Sequence, residues 1–160
     1  MRIWRLCRAP YGAEAFSGEG ARRFGGRWNT RGVSMVYAST SLALSAIELY
    51  VHLEPGQAPD DLVCICATLP EGEPARTFHS AELPPEWWAD DAVPAAGTTR
   101  ELGDAWISDR SSLALMVPSV PIRAEWNVLV NPPPPRMREL QIDPPQSFVF
   151  DARPCQRGRE

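Results

Sequence analysis

Apolar residues fall into short runs separated by polar and proline-rich stretches, and the period within each run predicts its element. Ile3 to Leu6 predicts a short opening strand, and Val33 to Ala38, rich in β-branched and aromatic residues, a second. Gly, Ser and Ala dominate the stretch between them, which predicts a loop running to about Gly26. Leu42, Ala46, Leu49 and Leu53 then recur at helical spacing, so a helix is expected through about Leu53. Ser39, Thr40 and Ser41 are its candidate N-caps, and Pro55 and Gly56 stop it. Leu62 to Leu69 reads as a buried strand between Asp60-Asp61 and Pro70 with Gly72. A short helix carrying Leu102 and Trp106 is expected behind Thr98 or Thr99. Leu113 to Val117, Val128 to Val130 and Phe148 to Phe150 supply further strands. The acidic, proline-rich stretch from Glu73 to Thr99, with Trp87 and Trp88 adjacent, predicts loops around one short helix.

Strands and helices mix without the regular alternation of a doubly wound parallel sheet, so the expected class is α+β. With 160 residues, 44% hydrophobic and 22% charged, the chain is expected to form a single compact domain over 1–160. The polar end, Arg153 to Glu160, reads as a flexible tail, and the run Pro132 to Pro135 must be extended. No run of about 20 apolar residues is present, which argues against a membrane span, and Arg2-Ile3-Trp4-Arg5-Leu6 does not read as a secretory signal. Cys7, Cys64, Cys66 and Cys155 lack Cys-x-x-Cys spacing and a neighbouring histidine cluster, so no metal site is expected. Cys64 and Cys66, two apart in an apolar run, fit one face of a strand as small core residues, in keeping with a reducing, cytoplasmic location.

The formal net charge of −4 gives no global attraction to nucleic acid. Arg22, Arg23, Arg27 and Arg31 nevertheless crowd one segment, compatible with a local cationic pocket for a small anion. That segment includes Arg23-Phe24-Gly25-Gly26-Arg27-Trp28-Asn29-Thr30-Arg31-Gly32. Adjacent glycines allow close backbone approach, and arginine forks match a phosphate bidentately. A glycine turn with solvated arginines fits the same residues, and neither the Walker nor the dinucleotide fingerprint is present. On the predicted helix Ser41, Ser45, Glu48 and His52 form one polar stripe, either a solvated face or the wall of a cleft with Glu48 as its carboxylate. Ser119, within Val117-Pro118-Ser119-Val120-Pro121, lacks a nucleophile elbow and a histidine partner, so it reads as a turn serine. Asn127 and Asn131 bracket a strand and suit strand-end caps.

Taken together these segments resemble the RES domain, a bacterial family named for an arginine, a glutamate and a serine. The resemblance runs through Ile3-Trp4-Arg5-Leu6, Gly25-Gly26-Arg27-Trp28-Asn29, Val36-Tyr37-Ala38-Ser39, Ala46-Ile47-Glu48 with His52, and Val117-Pro118-Ser119 through Asn127 to Asn131-Pro132. It assigns the three residues to Arg27, Glu48 and Ser119, with Tyr37 as the accompanying aromatic. The family commonly carries a histidine after Asn-Pro, whereas three further prolines follow Asn131-Pro132 here.

The resemblance implies an ADP-ribosyltransferase-like fold, with a mixed sheet core and flanking helices. It also implies the role of a toxin paired with an antitoxin bearing an Xre-like helix-turn-helix domain. Members act on NAD, some degrading it by hydrolysis or phosphorolysis, others transferring ADP-ribose to a host protein. Breaking the nicotinamide–ribose bond develops cationic character on the ribose, which the Glu48 carboxylate suits. Tyr37 or Trp28 would face the nicotinamide ring, Arg27 would hold the pyrophosphate, and Ser119, with Asn127 nearby, would orient the nicotinamide amide or the ribose. A non-catalytic nucleotide-binding or protein-interaction module is the third reading. The acidic insert from Glu73 to Asp109 is a candidate surface for recognising a protein.

Overall fold

A computed structural model describes residues 1–54, 58–74, 76–89, 99–132 and 136–150. Among the described residues eight strands form one mixed sheet: β1 (Arg2–Arg8), β2 (Val36–Ser39), β3 (Leu62–Thr68), β4 (Arg76–Thr77), β5 (Ala114–Pro118), β6 (Trp126–Val130), β7 (Gln141–Ile142) and β8 (Gln146–Phe148). Their order is β4-β5-β6-β2-β1-β3-β7, with β8 also on β3. Every pairing is antiparallel except β4 with β5. The α-helices of the described residues flank it: α1 (Glu19–Phe24), α2 (Leu42–Tyr50) and α3 (Thr99–Asp109). The α+β class expected from the sequence is the observed one.

Strand alternation divides the core. Val36 and Ala38 of β2, Val128 and Val130 of β6, and Ile65 and Ala67 of β3 pack into one cluster with Ile3 and Phe16. On the opposite face Leu129 joins Leu115, Val117, Trp28, Phe78, Trp87 and Trp106. Leu42, Ala46 and Leu49, the apolar stripe of α2, close a third cluster over Leu6, Leu62 and Cys64. Cys64 and Cys66 are buried thiols. Among the described residues no helix is long and apolar enough to cross a membrane.

Several boundaries depart from the sequence expectation for identifiable reasons. The loop expected up to Gly26 contains a 3-10 turn, Ala9–Glu14, and α1. Glu19 pairs with Arg22 and Arg23 one turn on, 2.7 Å in each case, so side-chain pairs support a helix too short to persist by propensity. The second strand starts at Val36 rather than Val33, because Val33 N–H closes a turn on the Thr30 carbonyl at 3.1 Å. α2 ends at Tyr50, before the expected Leu53, and Pro55 and Gly56 lie outside the described residues. The last strand is Gln146–Phe148 rather than Phe148 to Phe150. Asp143 N–H reaches the Cys66 carbonyl at 2.8 Å, but Pro144 and Pro145 bring no donors, so the β3 edge is covered by two short strands. The Glu73–Thr99 stretch contributes β4 and a 3-10 turn, Ser80–Glu82. Thr98, Pro133 to Pro135 and the Arg153–Glu160 tail lie outside the described residues.

Candidate active site

The site begins where β1 and β2 part. Their ladder pairs Trp4 with Ser39, whereas β1 pairs with β3 over seven positions, Arg2 to Arg8. In the gap the Arg5 guanidinium replaces a strand neighbour, donating from Nη1 to the Tyr37 carbonyl at 2.5 Å. A cavity of about 710 Å³ opens there, lined among others by Arg5, Arg27, Tyr37, Glu48 and Asn127. That volume lies within the usual range for small-molecule sites.

α2 aims its polar stripe into this cavity. Ser41 is the N-cap, its hydroxyl accepting from Leu44 N–H at 3.1 Å. The two rival caps are used elsewhere: Ser39 Oγ donates to Asn127 Oδ1 at 2.8 Å, and Thr40 Oγ1 to the Trp126 carbonyl at 3.0 Å. Ser45, Glu48 and His52 line the cavity, so the stripe is a cleft wall. Glu48 is the sole carboxylate among the described lining residues. Its Oε1 accepts from Ser119 Oγ at 2.7 Å and from Asn127 Nδ2. The chain Ser39–Asn127–Glu48–Ser119 thus fixes the carboxylate from two strands and a turn. Ser119 is fully buried and also accepts Ile122 N–H at 3.2 Å, so it is both the expected turn serine and a direct partner of Glu48. The resemblance gives Ser119 to the ligand, and in this structure its hydroxyl proton goes to Glu48.

The opposite wall is the Gly25–Gly32 loop. Asn29, wholly buried, is its organiser. Its amide nitrogen donates to the carbonyls of Ala21 (2.9 Å), Thr30 (3.1 Å) and Val33 (2.9 Å), and its oxygen accepts from Tyr37 Oη at 2.7 Å. Tyr37 Oη in turn accepts Trp28 N–H at 3.0 Å, which sets the half-buried ring in the cavity wall. Gly26 has to lack a side chain here, because a Cβ would lie 2.5 Å from Tyr37 Oη. α3 holds the loop from outside: Thr99 Oγ1 donates to the Arg27 carbonyl at 2.6 Å and Arg100 Nε to the Gly26 carbonyl at 2.9 Å. Asp104 accepts from Thr30 Oγ1 at 2.7 Å.

The four arginines of this segment do not share one pocket. Arg22 and Arg23 are paired with Glu19, and Arg31 is exposed away from the lining. Arg27 lines the cavity and donates from Nη1 to the carbonyls of Trp87 (2.8 Å) and Ala89 (3.0 Å), joining the 84–89 loop to the rim. Trp28, the other aromatic expected at the nicotinamide ring, also lines the cavity. Its indole is 3% exposed and sits against Phe78 and Trp87 at 6.3 and 6.4 Å, so the open ring is that of Tyr37. Asn131 caps the end of α3 rather than a strand, donating to the Ile107 carbonyl at 3.1 Å. His52 is exposed on the cavity wall.

Arg5 was not singled out by its sequence context. Burial pulls its guanidinium below the usual arginine pKa, partly offset by the neighbouring Cys7 and Tyr37. Its Nε has no hydrogen-bond partner among the described residues. The only signal was an arginine amid an apolar strand, which the splay from β2 turns into a cavity residue.

Comparison with known proteins shows the family. The RES domain family matches residues 2–151. The chain belongs to the RES-domain family. Among relatives of this RES domain, the Prs ADP-ribosylating toxin of Sphingobium sp. (strain YBL2) is 33% identical over 155 residues, covering 94% of each chain. Toxin Res of Yersinia enterocolitica is 31% identical over 154 residues, covering 96% of this chain and 99% of its own. Toxin Res of Pseudomonas putida is 34% identical over 158 residues, with the same coverage. The RES fold is also similar to the crystal structure of the M. tuberculosis MbcT–MbcA toxin–antitoxin complex. That likeness has a TM-score of 0.61 at 19% identity and covers 92% of this chain and 84% of the other.

Proposed function

We propose that this RES domain is the toxin of a bacterial toxin–antitoxin pair and that it cleaves the nicotinamide–ribose bond of NAD. One observation carries the reading: a carboxylate, Glu48, fixed by Ser119 and Asn127 in a cavity that also presents two arginines and a tyrosine ring. Nicotinamide leaves with the electrons of the C–N bond and becomes neutral without needing a proton. The ribose carbon left behind carries oxocarbenium character, which a preorganised carboxylate stabilises. Water or inorganic phosphate then adds to that carbon, and water gives up a proton to solvent.

Tyr37 offers the cationic nicotinamide an aromatic face, and Arg5 and Arg27 supply donors for the diphosphate. NAD is substrate here, and the chemistry asks for no metal. An antitoxin with an Xre-like helix-turn-helix domain is the proposed partner, and the cytoplasm, where NAD is held, the proposed location. The toxin role draws on the names of the Yersinia and Pseudomonas relatives.

A second reading, transfer of ADP-ribose to a host protein, is favoured by the name of the Sphingobium relative. Both readings use the same donor site. Purified protein incubated with NAD labelled on the adenylate, with and without cell lysate, separates them. Free labelled products without lysate support degradation, label on one protein band supports transfer, and NAD recovered unchanged in both overturns the enzymatic reading. Glu48→Gln is expected to lower turnover roughly a hundredfold to a thousandfold. Its amide oxygen still accepts from Ser119 and Asn127, so the fold should be retained.

A further inference from the structure

Two strongly exposed apolar side chains line the cavity, and bond cleavage gives neither a role. Deeper in the lining stand the buried Arg5 guanidinium and Glu48, the latter held by the fully buried Ser119 behind it. At the rim stand Phe24, 84% exposed, and Val51, 53% exposed, both lining the cavity. No other large apolar side chain among the described residues is as exposed as Phe24. Such exposure is ordinary on a loose loop, but the backbone on either side of Phe24 is tied down by hydrogen bonds. Gly25 N–H donates to the Ala21 carbonyl at 2.7 Å, Gly32 N–H to the Arg22 carbonyl at 2.8 Å, and Asn29 Nδ2 to the Ala21 carbonyl at 2.9 Å. Gly25, at φ +75°, ends α1 in the left-handed region and turns the chain back so that Gly26 meets Tyr37.

We infer that Phe24 is the stacking wall of a subsite for the adenine base, an inference that rests on NAD being the ligand. A dinucleotide whose nicotinamide riboside lies against Glu48 and Tyr37, with its diphosphate at Arg5 and Arg27, sends its other base outward to the rim. A flat aromatic base there covers the Phe24 face and, on the α2 side, meets Val51. Stacking of this kind is tolerant of base identity and acts on binding rather than on the bond that breaks.

The test compares NAD with nicotinamide mononucleotide, which has the same scissile bond and no adenosine. Phe24→Ala is expected to raise KM for NAD roughly tenfold. It should leave kcat unchanged and leave cleavage of the mononucleotide as in the wild type, and Phe24→Trp should restore KM. An unchanged KM for NAD, as for a ring kept for a protein partner, overturns the subsite, and so does an equal rise for both substrates. Should the wild type release nicotinamide from neither compound, the functional reading falls by itself. The subsite is then decided by calorimetric titration with ADP-ribose. Weaker binding by Phe24→Ala upholds it; equal affinity, or no binding to either protein, overturns it.

Discussion

Ser119 gives its hydroxyl proton to the same oxygen of Glu48 that accepts from Asn127, so one carboxylate oxygen is held by two donors. Hydrogen bonds to a charged group stabilise it by about 1.5–3 kcal/mol each. Ser119→Ala is therefore expected to lower kcat for nicotinamide release by about 10- to 100-fold while leaving NAD affinity close to wild type. A KM effect without a kcat effect would instead place Ser119 against substrate.

Gly26 backs directly onto Tyr37 in the cavity wall. A methyl group at 26 forces Tyr37 Oη off both Asn29 Oδ1 and Trp28 N–H. Overpacking of this kind typically costs about 1–3 kcal/mol, and Gly26→Ala is expected to lower the melting temperature and abolish turnover together. Tyr37→Phe in the Gly26→Ala background should recover part of the stability, because it removes the clashing oxygen, but not the activity.

The two cavity arginines should respond differently. Arg27→Lys keeps charge but cannot reproduce a planar fork, and it also frees the carbonyls of Trp87 and Ala89. Most activity should be lost, with faster proteolysis within residues 84–89. Arg5→Met leaves the Tyr37 carbonyl without its donor and the cavity without a buried cation. Its KM for NAD should rise at least about tenfold, the scale of a lost charge-assisted hydrogen bond. Unaltered NAD affinity would remove Arg5 from the diphosphate site.

Glu19 sets the acid limit of α1. Hydrogen bonds from Arg22 and Arg23 lower its carboxyl pKa from 4.5 to about 2. A pKa depressed by folding stabilises the native state above the unfolded value, and that contribution is lost as pH falls from about 4.5 to about 2. The pair is solvent-exposed, so the effect is local and weakened by salt. An NMR titration should place Glu19 near 2. Glu19→Gln should speed amide exchange at Gly25, whose N–H closes the helix on Ala21.

Much of the sheet was legible because strand alternation and helical spacing are written in consecutive residues. β1, β3, β5, β6 and α2 follow directly from them. β4 and β7, two residues each, carry no readable period, and α1 depends on ion pairs rather than an apolar stripe. Glu48, Tyr37 and Arg27 were legible as candidates, and the structure brings all three to one cavity. The roles of Asn29 and Arg5 were not, because each acts through partners distant in sequence or across a strand gap. The partnership of Ser119 with Glu48 spans 71 positions, and no local pattern encodes it.

The strands set the tolerance of this site to changes in chain length. Tyr37 stands opposite Leu129 and Ser39 opposite Asn127, so Tyr37, Ser39 and Asn127 share one side of the pleat. Deleting a single residue inside Val36–Ser39 reverses which side chains point into the cavity and turns Tyr37 toward the packed core. Removing two restores the alternation but shortens a strand that has only four residues. Insertions and deletions are thus expected to be tolerated in the connections, whereas the register of two short strands has to be kept for the site to survive.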